Sequence, residues 1–340
     1  MKKEASFWKK IEGNRIQCSL CSHNCKISDN KVGICGVRKN ENGRLYSLIY
    51  GSISSVAADP IEKKPLYHFF PGTYALSMGT VGCNFKCNHC QNYGISTADS
   101  DSNYIKEITP DDVVKLSKEY DCQGVSYTYN EPTIWHEFCF DSAKLAKKAG
   151  LYTCYVTNGY ITEKALRELS SCLDAMNIDV KAFTDGFYKK ICKARLEPVL
   201  KTCELAKDLG IHVELTYLVI PTYNDSLNEI KAFCKWVVEK LDKNVPIHFS
   251  RFHPDYNMID IPMTPMETLV KIYQTAKETG ILYVFLGNVI HGNYENTTCP
   301  KCGNYVIKRA GYTINLDGFK EGKCIKCGYT LPIMINKNKK

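Results

Sequence analysis

The 340-residue sequence contains no run of about 18 or more uncharged apolar residues, so we expect no transmembrane helix. The basic residues Lys2 and Lys3 are not followed by an apolar stretch, which is untypical of a signal peptide. No basic stretch is interleaved with aromatic residues, and the net charge of +8 is modest for this length. These absences predict a cytoplasmic protein that is neither embedded in a membrane nor dedicated to nucleic acid.

Cysteine, in contrast, is abundant, with 18 residues in the chain. In a reducing cytosol, metal sites explain so many cysteines better than disulfides do. Three groups contain eleven of them: Cys18, Cys21, Cys25 and Cys35; Cys83, Cys87 and Cys90; and Cys299, Cys302, Cys324 and Cys327. The other seven have apolar neighbours and are expected to be small buried residues rather than ligands. They are Cys122, Cys139, Cys154, Cys172, Cys192, Cys203 and Cys234.

Between the first and last cysteine groups, segments rich in apolar and β-branched residues alternate with segments of helical periodicity. Strands are predicted at residues 76–81, 125–129, 152–157, 176–180, 213–220, 247–252 and 281–286. Six or seven such units in series imply a parallel sheet covered by helices. A doubly wound sheet and a complete or partial barrel both fit this pattern, and both collect functional residues at the carboxyl ends of the strands.

The cysteine groups also suggest how the chain is divided. Residues 1–70 are predicted to form a Cys-rich head and a connector, and residues 71–292 the α/β core. Residues 293–335 are predicted to form a small four-cysteine domain, followed by a basic tail at residues 336–340.

The central motif, Cys83-x3-Cys87-x2-Cys90, follows the first predicted strand of the core. Gly79 and Gly82 allow the backbone to turn closely around a bulky ligand. Three thiolates indicate a [4Fe–4S] cluster with one iron left free for a small molecule, since structural zinc normally takes four ligands. The alternatives are no metal, or zinc with His89 as the fourth ligand. His89 lies between Cys87 and Cys90, however, where its side chain is poorly placed to converge with both.

This motif, placed after the first strand of a β/α series, resembles the radical S-adenosylmethionine (radical SAM) superfamily. The resemblance implies a partial (β/α)6-type TIM barrel. It also implies that SAM chelates the free iron and that reduction splits SAM into methionine and a 5′-deoxyadenosyl radical, which abstracts hydrogen from a substrate. Many members have an aromatic residue where this chain has His89.

Polar residues at later strand ends match further features of that superfamily. Glu131 and Asn130 lie in a Tyr-Asn-Glu-Pro segment that resembles the family's Gly-Gly-Glu-Pro segment, which holds the methionine ammonium group. Asn130 replaces a glycine there. Asn158 follows the third strand and is a candidate to offer an amide to SAM, although Thr-Asn-Gly is more often only a turn.

Three more candidates follow the fourth and sixth strands. Asp179 suits the ribose hydroxyls of SAM and Lys181 its carboxylate, because the two share one face at strand period. Such a pair is more often a structural ion pair. His253 resembles a SAM-contacting histidine of glycyl-radical activases, with an ordinary loop residue as the alternative.

The two flanking groups indicate further metal sites. The pairs Cys299/Cys302 and Cys324/Cys327 form two Cys-x-x-Cys-Gly turns, a pattern typical of a zinc ribbon, with a rubredoxin-like single iron as the competitor. Cys18, Cys21, Cys25 and Cys35 suit either a structural zinc or an auxiliary iron–sulfur cluster, and His23 adds a further possible ligand.

The order of these motifs resembles the radical SAM enzymes of the AmmeMemoRadiSam system, relatives of the pyruvate formate-lyase activases. The resemblance implies AMMECR-type and Memo-type proteins as partners or substrates, and an electron donor such as flavodoxin or ferredoxin. In the segment 59–68, Glu62, Lys63, Tyr67 and His68 are candidates for the active-site rim, with a merely polar connector as the alternative.

Two functions follow from the sequence. The first is a radical SAM enzyme acting on an unidentified substrate, which the open side of a partial barrel would allow to be a protein, as in glycyl-radical activation. The second is a non-catalytic zinc protein that binds a protein or nucleic-acid partner through its Cys-rich modules.

Overall fold

The protein is described by a computed structural model that covers residues 1–102, 105–289 and 293–335. The predicted basic tail at residues 336–340 lies outside these ranges. No helix within them is long and apolar enough to cross a membrane.

The head, residues 1–54, consists of short strands joined by turns. The strands are β1 (Lys3–Glu4), β2 (Trp8–Lys10), β3 (Ile16–Cys18), β4 (Lys26–Ile27), β5 (Arg38–Glu41), β6 (Arg44–Ser47) and β7 (Ser52–Ile53). They form two three-stranded antiparallel sheets, β1-β6-β5 and β2-β3-β4. Backbone hydrogen bonds dock the head on the core, including one from Ser22 N to Tyr160 O (3.0 Å).

The core is built on one eight-stranded sheet. Its strands are β8 (Ser55–Pro60), β9 (Tyr74–Gly79), β11 (Gly124–Tyr127), β12 (Tyr152–Thr157), β13 (Ala175–Asp179), β14 (His212–Val219), β15 (Ile247–Arg251) and β16 (Val284–Gly287); the short β10 (Lys106–Glu107) pairs with β7 instead. The order is β16-β15-β14-β13-β12-β11-β9-β8. Only β8 is antiparallel to its neighbour. The predicted α/β fold with a parallel sheet is confirmed, and β8 and β16 remain as two edges of an unclosed barrel.

Helices connect the parallel strands. They are α1 (Tyr93–Ser96), α2 (Pro110–Glu119), α3 (His136–Lys148), α4 (Glu163–Leu169), α5 (Asp185–Phe187), α6 (Leu196–Asp208), α7 (Leu227–Trp236) and α8 (Met266–Glu278). Short 3-10 turns at Ile61–Lys63 and Pro132–Trp135 and π turns at Tyr188–Cys192 and Val237–Leu241 complete the set. Helix α2 begins at Pro110, where Thr109 and Asp112 form a reciprocal capping box.

The connector, residues 61–73, joins β8 to β9 and crosses the inside of the sheet. Glu214 on β14 accepts hydrogen bonds from the backbone nitrogens of Tyr67 (2.9 Å) and His68 (2.7 Å). Asn177 on β13 donates to the carbonyl oxygen of Pro65 (2.8 Å). Because side chains two residues apart share a face of a strand, Asn177 and Glu214 point to the same side as the polar residues at the carboxyl ends. The connector therefore fills the interior beneath those ends.

The C-terminal domain, residues 293–335, consists of β17 (Thr297–Thr298), β18 (Tyr305–Ala310), β19 (Thr313–Asn315), β20 (Phe319–Lys320) and β21 (Lys323–Cys324). Its buried residues pack with Phe285 of β16 and Tyr67 of the connector. Arg309 also donates to the carbonyl oxygen of Tyr67 (2.8 Å). The domain thus contacts β16 at one edge of the sheet and the residues that leave β8 at the other.

Candidate active site

A cavity of about 1510 Å³, open to solvent, lies at the carboxyl ends of the parallel strands. Eight of the nine residues predicted to hold the cluster or SAM line it: Cys83, Cys87, Cys90, Asn130, Glu131, Asn158, Asp179 and Lys181. His253 is exposed and does not line the cavity, although its ring accepts a hydrogen bond from Gln91 (3.0 Å), which does. The fold therefore brings residues from four strand ends to one place.

Asn130 holds the loop that carries the three cysteines. Its side-chain oxygen accepts a hydrogen bond from Thr80 N (3.1 Å), and its side-chain nitrogen donates to Gly82 O (2.8 Å). Gly82 itself has a φ of +83°, and a Cβ there would lie 2.7 Å from the carbonyl oxygen of Cys35. The loop is thus fixed by a side chain on one side and by the head on the other.

The spacing of the sulfurs distinguishes the cysteine groups. Among the described residues, only Cys299, Cys302, Cys324 and Cys327 form a group of three or more His, Cys, Asp or Glu whose ligand atoms all lie within 4.8 Å of one another. A tetrahedral ion with bonds of about 2.3 Å requires sulfurs roughly 3.8 Å apart. In a cubane each thiolate binds a different iron, so the sulfurs stand farther apart. The central three cysteines therefore suit a cluster better than a single ion.

His89 is buried in the wall of the cavity, and neither ring nitrogen has a hydrogen-bond partner. It also does not complete a compact metal site with Cys87 and Cys90. Burial, followed by the charge of Lys181, lowers the pKa of His89 to about 3, which keeps the ring neutral. A neutral imidazole has one donor and one acceptor nitrogen, and in His89 both are buried without a partner.

Glu131 links the ends of two strands. Its carboxylate accepts hydrogen bonds from Thr133 N (2.9 Å), Thr157 Oγ1 (2.7 Å) and Asn158 N (2.8 Å). Burial raises the pKa of Glu131, and these three donors counteract part of that shift. Asn158 in turn donates to Asn84 Oδ1 (2.7 Å), within the cysteine loop. Glu131 thereby positions Asn158, and through it the loop.

Asp179 and Lys181 form an ion pair of 2.7 Å between Lys181 Nζ and Asp179 Oδ2. Burial lowers the pKa of Lys181, but the charges of Asp179 and Cys87 outweigh it and the net pKa is raised. Both residues line the cavity, so the structural ion pair and a role toward SAM, which the sequence left as alternatives, are compatible.

Opposite the cysteines lies a cluster that the sequence indicated only in part. Asp59 accepts hydrogen bonds from Lys63 (2.8 Å), Lys64 (2.7 Å) and the hydroxyl of Tyr129 (2.7 Å). Those three donors line the cavity, as does Tyr312 of the C-terminal domain. Burial raises the pKa of Asp59, but the three donors reverse this and hold it well below its usual range.

The other connector residues that were candidates for the active-site rim do not line the cavity. Glu62 accepts a hydrogen bond from Gly72 N (2.9 Å), and neither it nor Tyr67 nor His68 lines the cavity.

All seven scattered cysteines are buried, as predicted. One of them, Cys192, also forms a hydrogen bond with Cys87, which, together with burial, raises the pKa of the Cys87 thiol. Since Cys192 does not line the cavity, it approaches Cys87 from behind.

Comparisons with known proteins agree with this geometry. Residues 78–237 match the model of the Radical SAM superfamily. The chain is 45% identical to the uncharacterized protein MJ0808 of Methanocaldococcus jannaschii, over 98% of this chain and all of that one. It is 26% identical to the pyruvate formate-lyase-activating enzyme of Clostridium pasteurianum, over 58% of this chain and 87% of that one. In fold it resembles Streptococcus suis SuiB bound to precursor peptide SuiA, with a TM-score of 0.51 and 12% identity over 68% of this chain and 52% of that one. The chain therefore contains a radical SAM domain at residues 78–237.

Proposed function

We propose that this chain is an enzyme that cleaves SAM reductively and uses the resulting radical to abstract hydrogen from a substrate. One observation carries the proposal. Cys83, Cys87 and Cys90 open together onto a large cavity, and their sulfurs are too widely spread for a single metal ion. The superfamily implies a [4Fe–4S] cluster at these three thiolates.

The residues around the cavity fit SAM in their chemistry. His89 has two unpartnered ring nitrogens in the wall, and one of them would hydrogen-bond the bound ligand. Lys181 would face the carboxylate of SAM, and Asp179 the ribose hydroxyls. Asn130 and Glu131 would act mainly by holding the cysteine loop and Asn158 in place. When bound, the cluster supplies one electron that splits the sulfonium into methionine and a 5′-deoxyadenosyl radical.

The direction of substrate entry follows from the fold. The connector closes the cavity from below with Lys63, Lys64 and Pro65, and the C-terminal domain adds Tyr312 at the side. The open side of the partial barrel is therefore partly covered. We propose that the substrate enters from the face where the carboxyl ends of the strands lie.

Exposed apolar side chains on that face favour a protein substrate. Tyr93, Tyr223, Ile259 and Met263 are all exposed and lie in segments that follow β9, β14 and β15. Tyr93 stacks on Tyr256 with 4.7 Å between the ring centroids. Exposed apolar residues in these segments suit the docking of a polypeptide. We therefore propose a reaction like that of the glycyl-radical activases, with AMMECR-type or Memo-type proteins as candidate substrates or partners.

The remaining assignments complete the proposal. The C-terminal cysteines, with sulfurs 3.6 Å (Cys299 to Cys327) and 3.7 Å (Cys302 to Cys324) apart, suit a structural zinc. A flavodoxin or ferredoxin would supply electrons. A cytoplasmic location is proposed on the same grounds as the metal sites, since reducing conditions preserve free thiols.

The decisive test is SAM cleavage by anaerobically purified protein with dithionite. Wild-type protein is expected to form 5′-deoxyadenosine, and Cys83→Ala to form none, while Cys122→Ala, which alters a buried cysteine outside the site, should retain activity. Unchanged product formation by Cys83→Ala would refute the assignment. Zinc at all three cysteine groups, with no iron and no SAM cleavage, would support the non-catalytic alternative.

The substrate is tested by isotope transfer. A candidate protein expressed in fully deuterated form is incubated with the wild-type enzyme, SAM and dithionite. A true substrate is expected to place deuterium in 5′-deoxyadenosine, which mass spectrometry detects. If deuterated AMMECR-type and Memo-type proteins both yield only unlabelled product, neither is the substrate.

A further inference from the structure

The four cysteines of the head line one cavity. Its lining also includes the apolar side chains of Leu20, Ile27 and Ile134. A cavity lined by four thiols and by apolar side chains has the composition of a buried metal site.

The head and the C-terminal domain supply the same four thiolates, but the head holds them farther apart. No three of the head sulfurs lie within 4.8 Å of one another, whereas all four do in the C-terminal domain. A single tetrahedral ion needs sulfurs roughly 3.8 Å apart, so the spacing of the head sulfurs suits a cluster better than zinc or a single iron. In this respect it matches the central cysteine triad, which the proposed function assigns to a [4Fe–4S] cluster.

The charge around the cavity also suits a cluster. Arg38 lines the cavity, is 2% exposed, and donates to both carboxylate oxygens of Glu137 at 2.8 and 2.9 Å. Its electrostatic interactions extend to Cys18 and Cys35. A cubane with four thiolates carries net negative charge, and a buried guanidinium beside two of them offsets part of it.

We propose that Cys18, Cys21, Cys25 and Cys35 ligate an auxiliary [4Fe–4S] cluster that passes electrons to the central one. With four cysteine ligands no iron is left open, so neither SAM nor substrate binds there through iron. The relay role rests on the proposed function of the central site, whereas the identity of the head cluster does not.

The two cysteine loops are in direct contact. The carbonyl oxygen of Cys35 lies so close to Gly82, the residue before Cys83, that a Cβ there would approach it to 2.7 Å. His23 donates from Nε2 to the carbonyl oxygen of Asn84 (2.7 Å), the residue after Cys83. A ligand of the head cluster and a ligand of the central cluster are thereby separated by one residue and one van der Waals contact.

The electron balance is simple. The reduced head cluster, [4Fe–4S]+, gives up one electron and returns to the 2+ state, and the central cluster takes it, passing from 2+ to +. A low-potential one-electron carrier of the flavodoxin or ferredoxin class then re-reduces the head. The surface suits such an acidic carrier, because the first 50 residues contain nine Lys or Arg besides the buried Arg38, against four Asp or Glu. Ile34, which is 47% exposed, lines the cavity and also reaches this surface.

The identity of the head cluster is tested in a variant that lacks the central cluster. The triple variant C83A/C87A/C90A, purified anaerobically, is expected to retain about four irons and four sulfides per chain with a [4Fe–4S] Mössbauer signature. The triple variant C18S/C21S/C25S should lose the iron and sulfide of the head and keep the central cluster. The control Cys122→Ala should keep both clusters. Zinc in place of iron in the head of the first variant would overturn the assignment.

The relay is tested by the rate at which the central cluster is reduced. In C18S/C21S/C25S, reduction by photoreduced flavodoxin is expected to be lost, while dithionite, a small reductant, should still reduce the central cluster. Undiminished reduction by flavodoxin would overturn the relay. If wild-type protein fails to cleave SAM but C83A/C87A/C90A still holds iron, the proposed function falls and the head cluster stands.

Discussion

The two four-cysteine groups near the ends of the chain contain the same ligands in different arrangements. In the C-terminal domain, two Cys-x-x-Cys-Gly turns bring pairs of sulfurs to 3.6 and 3.7 Å. In the head, the cysteines come from β3, from the β3–β4 turn and from the residues before β5, and they surround a cavity. The comparison teaches that the backbone presenting the thiolates, rather than their number, indicates whether a single ion or a cluster is held.

The largest effect is expected from removing one ligand of the four-cysteine group in the C-terminal domain. Cys302→Ser should abolish metal binding in the C-terminal domain and remove about 10 kcal/mol of metal-linked folding free energy. Iron in the head and at Cys83, Cys87 and Cys90 should be unchanged. Metal analysis and limited proteolysis measure both effects. Iron loss in the same variant would show that the sites are not independent.

A smaller effect is expected from removing the charge of Arg38, which lies beside the four cysteines of the head. Arg38→Met leaves the Glu137 carboxylate, which is 4% exposed, without its partner and should cost about 3–5 kcal/mol of folding free energy. Head iron should fall while zinc in the C-terminal domain is retained. Arg167→Met is the matched control, because Arg167 pairs with the exposed Glu163 and should change stability by about 0.5 kcal/mol or less.

A pH-dependent effect is expected at Glu214, beneath the C-terminal domain. Burial raises the pKa of Glu214, but hydrogen bonds from His212 (2.9 Å) and His248 (2.7 Å) reverse this and lower it well below its usual range. A depressed carboxyl pKa stabilises the fold fully above about pH 4.3, and this contribution is lost as the pH falls below that value.

Glu214→Gln should therefore cost about 2 kcal/mol at pH 7 and flatten the dependence of stability on pH below about pH 4.5. Urea unfolding at pH 7, 5 and 4 measures both changes. An unaltered dependence on pH in the variant would show that another group is responsible.

The smallest effect is expected from the contact between the C-terminal domain and the cavity. Tyr312 is 57% exposed, so Tyr312→Ala should change the free energy of unfolding by no more than about 0.5 kcal/mol. SAM affinity should change less than about twofold, since Tyr312 lies by the connector rather than by the cysteine loop. Isothermal calorimetry under anaerobic conditions checks this, and a large loss of SAM affinity would place SAM against the C-terminal domain.

Much of the core could be predicted from local pattern. The strand predicted at residues 152–157 is β12 itself, and the other six predicted strands overlap β9, β11, β13, β14, β15 and β16. These strands are buried, so their apolar runs are distinctive. β8, with the sequence Ser-Val-Ala-Ala-Asp-Pro, is an edge strand of mixed burial and carries no such signal.

The convergence of the three central cysteines on one cavity was predictable, but the contacts that hold their loop in place were not. The spacing of Cys83, Cys87 and Cys90 indicates a cluster directly, because ligands from one loop converge locally. The roles of Asn130 and Tyr129 depend on partners far away in the sequence, and no local pattern records such contacts. The division of the chain into domains and the individual SAM contacts stay predictions.

The connector has a consequence for the order of events during synthesis. It precedes every parallel strand in the chain, yet its hydrogen bonds reach Glu214, which lies 146 and 147 residues beyond its two donors. The floor of the cavity is therefore completed only after the fifth parallel strand has left the ribosome. Until then the connector lacks its hydrogen bonds to Glu214, and contacts of such long sequence separation form slowly. The part of the chain that is made early is among the last to be fixed in place.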